Sequence, residues 1–298
     1  MESQQTPQHL LPQQNKRVQL EPGVVPNLMG GLGNQLFIAA AAYCTGHFYR
    51  VPVYLPYVLD NAHNKNNHDY RDTILKNLGI KVEETLQSMS LKGLLNEYHY
   101  SGHQDFMPWT PELIKIPAIL TGYYQFITHI EIMEEDIRKQ VLDGIDNLRE
   151  KLIKDGRIAS PTTTAFCHIR RGDYVPKSDF HYLQPIEYYR KAAGILKERS
   201  KAKTLLMFTD DIDWISKNED FKNLGFETII VDEKDELMAF ALMTLCEAGA
   251  ICANSTFSWW AAFLGCYSNK DAPICVPEKW INSSVVHLFP ESWHKLTL

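Results

Sequence analysis

The chain is organised as short apolar runs separated by polar segments, and from residue 24 onward the runs alternate in character. "VVPNLM" (24–29) has the look of a buried strand, followed by the turn "GGLGNQ" (30–35). "LFIAAAAYCTGHFYR" (36–50) then places Leu36, Ala40, Cys44 and Phe48 on one helical face. "VPVYLP" (51–56) and "PAILTGYYQ" (117–125) read as further strands, and the Asn-rich stretch 60–72 reads as a loop. A charged helical stretch over 130–156 runs into "DGRIASPTTT", whose Gly, Ser, Pro and Thr mark a linker.

Beyond the linker, strand and helix patterns alternate steadily. "AFCHIRR", "TLLMFTDD", "FETIIVD", "AICANST" and "APICVP" are strands. "PIEYYRKAAGILKERS", "ELMAFALMTLCEAG" and "FSWWAAFLGCY" are helices, with Pro185 suited to a first turn. Near-continuous apolar strands alternating with helices imply a parallel, doubly wound α/β architecture. The expected organisation is a flexible tail over 1–22, an α/β domain over 23–155 and a Rossmann-like domain over 156–298. Ligands of such sheets lie at the carboxyl ends of the strands.

Composition narrows the class. The 298 residues are 45% hydrophobic and 22% charged, with 30 Lys+Arg against 36 Asp+Glu and a formal charge of −6. That balance lacks the basic face a nucleic-acid binder needs. The six cysteines show no C-x-x-C spacing and sit mostly in apolar runs, as reduced buried thiols do. The Gln- and Pro-rich start has no signal-peptide core, and no apolar run approaches the ~20 residues of a membrane span. A soluble, cytoplasmic protein is expected.

The chemistry-bearing residues collect at predicted strand ends. His168, Arg170, Arg171 and Asp173 follow an apolar strand, where charge is costly unless something of opposite sign meets it. An arginine fork matches two phosphate oxygens; an Arg–Asp pair that merely ties the loop is the alternative. Gly31, Gly33 and Asn34 lie in a side-chain-poor turn opening a helix, where backbone N–H groups can approach an anion. It is not a dinucleotide fingerprint, because Leu36 stands where the last glycine belongs. Asn254, Ser255, Thr256 and Ser258 open another helix, as caps or as an oxyanion cradle. Asp210 and Asp211 end a strand, placed for a base or ribose, and Asp211-Ile-Asp213 is also a metal-type D-x-D. Solvated acids at a helix start are the plainer reading.

In order and spacing, "GGLGNQLF" (30–37), "GYYQ" (122–125), "HIRRGDYV" (168–175), "FTDD" (208–211) and "NSTFSWWAAFLG" (254–265) resemble the α-1,2-fucosyltransferases. The resemblance spans about residues 24–280. It implies a GT-B-like fold of two Rossmann-like doubly wound domains facing a cleft, with GDP-fucose as donor and no metal or other cofactor. It implies a donor-phosphate clamp of Arg170 and Arg171, with His168 toward GDP and Asp210 or Asp211 at the guanine edge. Ser255, Thr256 and Ser258 would sit by the phosphates, and Gly31, Gly33 and Asn34 would line the cleft. Arg170, Asp173 and Asn34 form the expected catalytic group. Asp173 is the first choice of base, with Asp179 and His181 as alternatives. The implied acceptor is a galactose-containing glycan. Residues 57–116 carry no matching motif. A glycoside hydrolase built on two of Asp173, Asp179 and Asp211, and a binding protein without turnover, are the competing readings.

Overall fold

A computed structural model describes residues 21–55, 69–82, 96–100, 110–282 and 288–298. Almost all of the expected tail and much of the motif-free stretch 57–116 lie outside the described residues. The first sheet is built from β1 (Val24–Pro26), β2 (Tyr54–Leu55), β3 (Ile80–Lys81), β4 (Asn96–Tyr100) and β5 (Ala118–Gly122). β1 pairs with β5 and β5 with β4, all in parallel. The parallel pair β2–β3 joins β1 through the Val24–Val53 bridge, so β1 is central.

The second sheet holds six parallel strands in the order β11-β10-β9-β6-β7-β8. These are β6 (Thr164–Ile169), β7 (Thr204–Thr209), β8 (Glu227–Ile230), β9 (Ala250–Ile251), β10 (Ile274–Pro277) and β11 (His294–Leu296). β6 stops at Ile169, not at the arginines, so Arg170 and Arg171 are loop residues. The short β11 has no apolar pattern and joins the edge through its backbone pairing with β10.

Helices fill the faces: α1 (Leu32–Tyr49), α2 (Thr128–Ile132), α3 (Glu134–Lys154), α4 (Ile186–Arg199), α5 (Ile212–Ser216), α6 (Glu219–Lys222), α7 (Glu236–Thr244) and α8 (Thr256–Gly265). α1 is buried on nearly every side, not along one stripe. It lies between its own sheet and α8, and four consecutive alanines (39–42) keep it slim enough to fit. Of its expected stripe, Leu36, Ala40 and Cys44 are buried, whereas Phe48 emerges at the helix end 48% exposed. Phe37 wedges against Trp259 and Trp260 with ring centroids 4.8 and 5.1 Å away. These three rings are fully buried, each worth about 1.5–3 kcal/mol of hydrophobic stabilisation, so one core runs through both sheets. α3 ties the two together again: Gly144 abuts Ile74, and the Arg138 guanidinium lies 3.5 Å above the Phe263 ring. All six cysteines are buried free thiols. Burial raises their pKa values, in Cys44, Cys266 and Cys275 to about 12.

Candidate active site

The carboxyl ends of both sheets open onto one cavity of about 1080 Å³. From the first sheet it receives the turn after β1 and the segment after β5, including Tyr123 and Gln125. From the second it receives the loops after β6, β7, β8, β9 and β10.

Two helices point their N-termini into it. α1 starts at Gly31 and α8 at Ser255, and neither start has a side-chain cap hydrogen bond. Uncapped helix starts leave N–H donors and about half a positive charge each at the opening. The two starts also touch. A Cβ on Gly33 would lie 2.4 Å from the Thr256 carbonyl carbon and 2.6 Å from the Phe257 nitrogen, so only glycine fits this crossing. Gly30, with φ of +75°, supplies the left-handed turn before it. Asn34 then locks the halves together. Its Oδ1 accepts from Gln125 Nε2 and from Thr256 Oγ1, both at 2.9 Å.

Opposite stands the loop after β6. Arg170 Nη2 reaches Asp173 at 2.7 Å and its Nη1 reaches Asp210 at 2.9 Å. Burial works against the guanidinium charge, but Asp210 and then Asp173 outweigh it and its pKa is raised. Asp210 is itself a scaffold: its Oδ1 accepts from the backbone N–H of Arg171 (2.8 Å) and of Gly172 (3.0 Å). Beside them His168 is buried at the end of β6, its Nδ1 without a partner. Burial, with Arg170 adding to it, lowers its pKa to about 3, so the imidazole is neutral at pH 7.

Of the expected donor contacts, Gly31, Gly33, His168, Arg170, Asp210, Ser255 and Thr256 line the cavity. Three others are not on its wall. Arg171 turns away, bonding Asp211 through Nε at 3.1 Å and stacking 3.7 Å above Trp214. Asp211 caps α5 by accepting from the Trp214 N–H at 3.2 Å, so the D-x-D is a helix start paired to an arginine. Ser258 is fully buried one turn into α8, and its hydroxyl donates to the Ser255 carbonyl at 3.2 Å. In each case the side chain found a nearer backbone, ionic or aromatic partner than the cavity offers. Losing Asp211 also removes one acid from the hydrolase reading.

Asp173, Asp179 and His181 all reach the cavity. Asp173 is held by Arg170, whereas His181 stacks flat on Tyr174 with centroids 3.9 Å apart and 5° between planes. In "GYYQ" the two tyrosines part: Tyr123 lines the cavity, and Tyr124 is buried with its hydroxyl donating to the Tyr98 carbonyl at 3.1 Å. Sequence reasoning passed over Tyr70, whose hydroxyl donates to Glu236 at 2.5 Å across the cavity. No local signal marks that pair, which is 166 residues apart in sequence. Tyr174 and Lys177 were also passed over, although both sit inside or just beyond the "HIRRGDYV" motif.

Residues 67–286 match the family described as Glycosyl transferase family 11. The chain belongs to that family. It is similar to an Escherichia coli O-antigen biosynthesis glycosyltransferase, WbnK, at 27% identity over 90% of this chain and 99% of WbnK. An E. coli alpha-1,2-colitosyltransferase is 27% identical, covering 92% of this chain and 98% of that protein. The rabbit (Oryctolagus cuniculus) galactoside alpha-(1,2)-fucosyltransferase 2 is 25% identical over 83% of this chain and 70% of its own. Among solved structures, the NodZ alpha-1,6-fucosyltransferase soaked with GDP-fucose gives a TM-score of 0.49 at 13% identity, covering 82% of this chain and 92% of NodZ. The two parallel α/β sheets of this family 11 chain face one cavity. Among the described residues no helix is long and apolar enough to cross a membrane.

Proposed function

We propose that this family 11 glycosyltransferase moves L-fucose from GDP-fucose to an acceptor glycan, at O-2 of a terminal galactose, with inversion and without a metal. The observation that carries the reading is Arg170, set where two uncapped helix starts converge on one cavity. Departure of GDP from an oxocarbenium-like sugar builds charge on the β-phosphate. A guanidinium and helix N–H groups already aimed there stabilise that charge more in the transition state than in the ground state. Arg170 trades Asp173 for phosphate, while Asp210, fixed by two backbone N–H groups, keeps the loop in shape. Asp211, the first acid of the D-x-D, is taken up by capping and by Arg171, which favours the metal-free route. The 1,2 linkage follows two relatives whose names carry it.

The test is GDP release from GDP-fucose with galactose-terminated acceptors, with and without EDTA, against GDP-mannose, UDP-galactose and nucleotide-activated colitose. Acceptor-dependent release from GDP-fucose, undiminished by EDTA, is expected. Transfer from another donor alone, or loss on chelation, defeats the corresponding part of the reading.

A further inference from the structure

We propose that His181 is the base that takes the proton from the acceptor hydroxyl, oriented by Asp173; the assignment rests on the transferase reading above. Asp173, the motif's own carboxylate, has its Oδ1 paired with the Arg170 guanidinium at 2.7 Å, an ion pair that weakens a carboxylate as a base. His181 has the features a base needs. It lines the cavity, on the loop that follows the phosphate-facing arginine. Its ring is immobilised flat against Tyr174, with the edge of Phe180 on another side at 4.9 Å. Tyr174 is in turn pinned by its hydroxyl, which donates to the Asn254 carbonyl at 2.8 Å, and the His181 backbone is bridged to Ile281.

One ring nitrogen is conspicuous. Nδ1 of His181 is buried without a hydrogen-bond partner, a state that buried polar atoms rarely keep unless a ligand or a movement completes it. The charged groups around it are Asp173, Lys177 and Arg170, with Tyr174 stacked on its face. Burial lowers its pKa below the usual 6.5, Lys177 and Arg170 lower it further, and Asp173 opposes them. A neutral, unprotonated imidazole at pH 7 follows, which is the form a general base requires.

The two halves of the reaction then connect through Asp173. When Arg170 turns to the donor phosphate, Asp173 is released and takes the Nδ1–H of His181, while Nε2 faces the acceptor. In the transfer step the acceptor oxygen bonds to the anomeric carbon and its proton passes to Nε2. The bond from that carbon to the phosphate oxygen breaks, its electron pair leaving with GDP, and the imidazolium then returns its proton to solvent. Asp173 is a positioning residue in this scheme and His181 a catalytic one.

The experiment compares wild type, His181→Gln, His181→Ala and Asp173→Asn with the donor–acceptor pair that wild type turns over best in the panel above. The wild-type panel judges the donor, and the variants judge the base, so the two can fail separately. His181→Gln is expected to lose on the order of 10²–10⁴ in kcat while its GDP Kd, by calorimetry, stays within about two-fold. Its kcat–pH profile lacks the acidic limb of wild type. Asp173→Asn removes the influence that raises the His181 pKa, so its limb moves to lower pH. Added imidazole restores part of the activity of His181→Ala. A His181→Gln enzyme within ten-fold of wild-type kcat, or one that keeps the wild-type acidic limb, overturns the assignment.

Discussion

The turn after β1 and the loop after β6 hold corresponding places, each at the carboxyl end of an inner strand and facing the same cavity. They meet it by opposite means. The first offers glycines and a helix start, with Asn34 clasped by Gln125 and Thr256 and no formal charge. The second offers Arg170, held by two carboxylates, one of which is itself held by two backbone N–H groups. Backbone donors need no partners to keep them in place but tolerate no added atom. Side-chain charge is stronger and movable, and it depends on a second layer of residues.

Breaking the charged side should have the largest effect. Arg170→Ala is expected to lower kcat/KM on the order of 10³, as loss of one oxyanion-type contact does, while circular dichroism stays unchanged. Arg170→Lys, with a point charge in place of a fork, should recover only part of it.

Breaking the uncharged side comes next. A methyl at Gly33 must push α8 back from α1, so Gly33→Ala should cost about 1–3 kcal/mol in urea denaturation and most of the activity. Gly31, whose Cβ direction meets nothing within 4 Å, is the paired control, and Gly31→Ala should unfold at the same urea concentration as wild type.

The contrast is also sharpened through pH, read as stability. Burial lowers the pKa of both His168 and His129 to about 3. Their unfolded-state values lie near 6.5, so between pH 6.5 and 3 the unfolded chain binds more protons. Stability from this source is complete above pH 6.5 and declines below it, by up to about 1.4 kcal/mol per pH unit per histidine. Urea midpoints at pH 7 and pH 5 should show the decline, and His168→Phe should remove about half of it, leaving the share of His129.

The smallest effects belong to residues turned away from the cavity. Ser258→Ala and Asp211→Ala should each cost ~1 kcal/mol, through a buried hydroxyl and a helix cap respectively, with GDP affinity unchanged by calorimetry. A ten-fold loss of GDP affinity in either variant would return that residue to the donor site.

These last residues also mark where sequence reading stopped. The parallel sheets were legible because β6, β7 and β10 are apolar almost throughout, and the motif glycines and Arg170 were legible from type and spacing. Which neighbour a short polar side chain chooses was not. Ser258 lies a helical turn deeper along α8 than Ser255, and Asp211 one step past Asp210, and neither is on the cavity wall. The burial of α1 on nearly every side was equally hidden, since its alanines are as compatible with an exposed helix as with one pressed between two layers. The Tyr70–Glu236 contact depends on how the two sheets are docked, and nothing local in the chain encodes that.

The six sheltered cysteines have a practical consequence. With every thiol buried and its pKa raised, the native surface offers nothing to a maleimide. A pair of cysteines introduced at exposed positions, one on each sheet's helices, can therefore carry a donor and an acceptor dye with no background substitutions. The separation of the two halves is then readable, molecule by molecule, as candidate donors and acceptors are added.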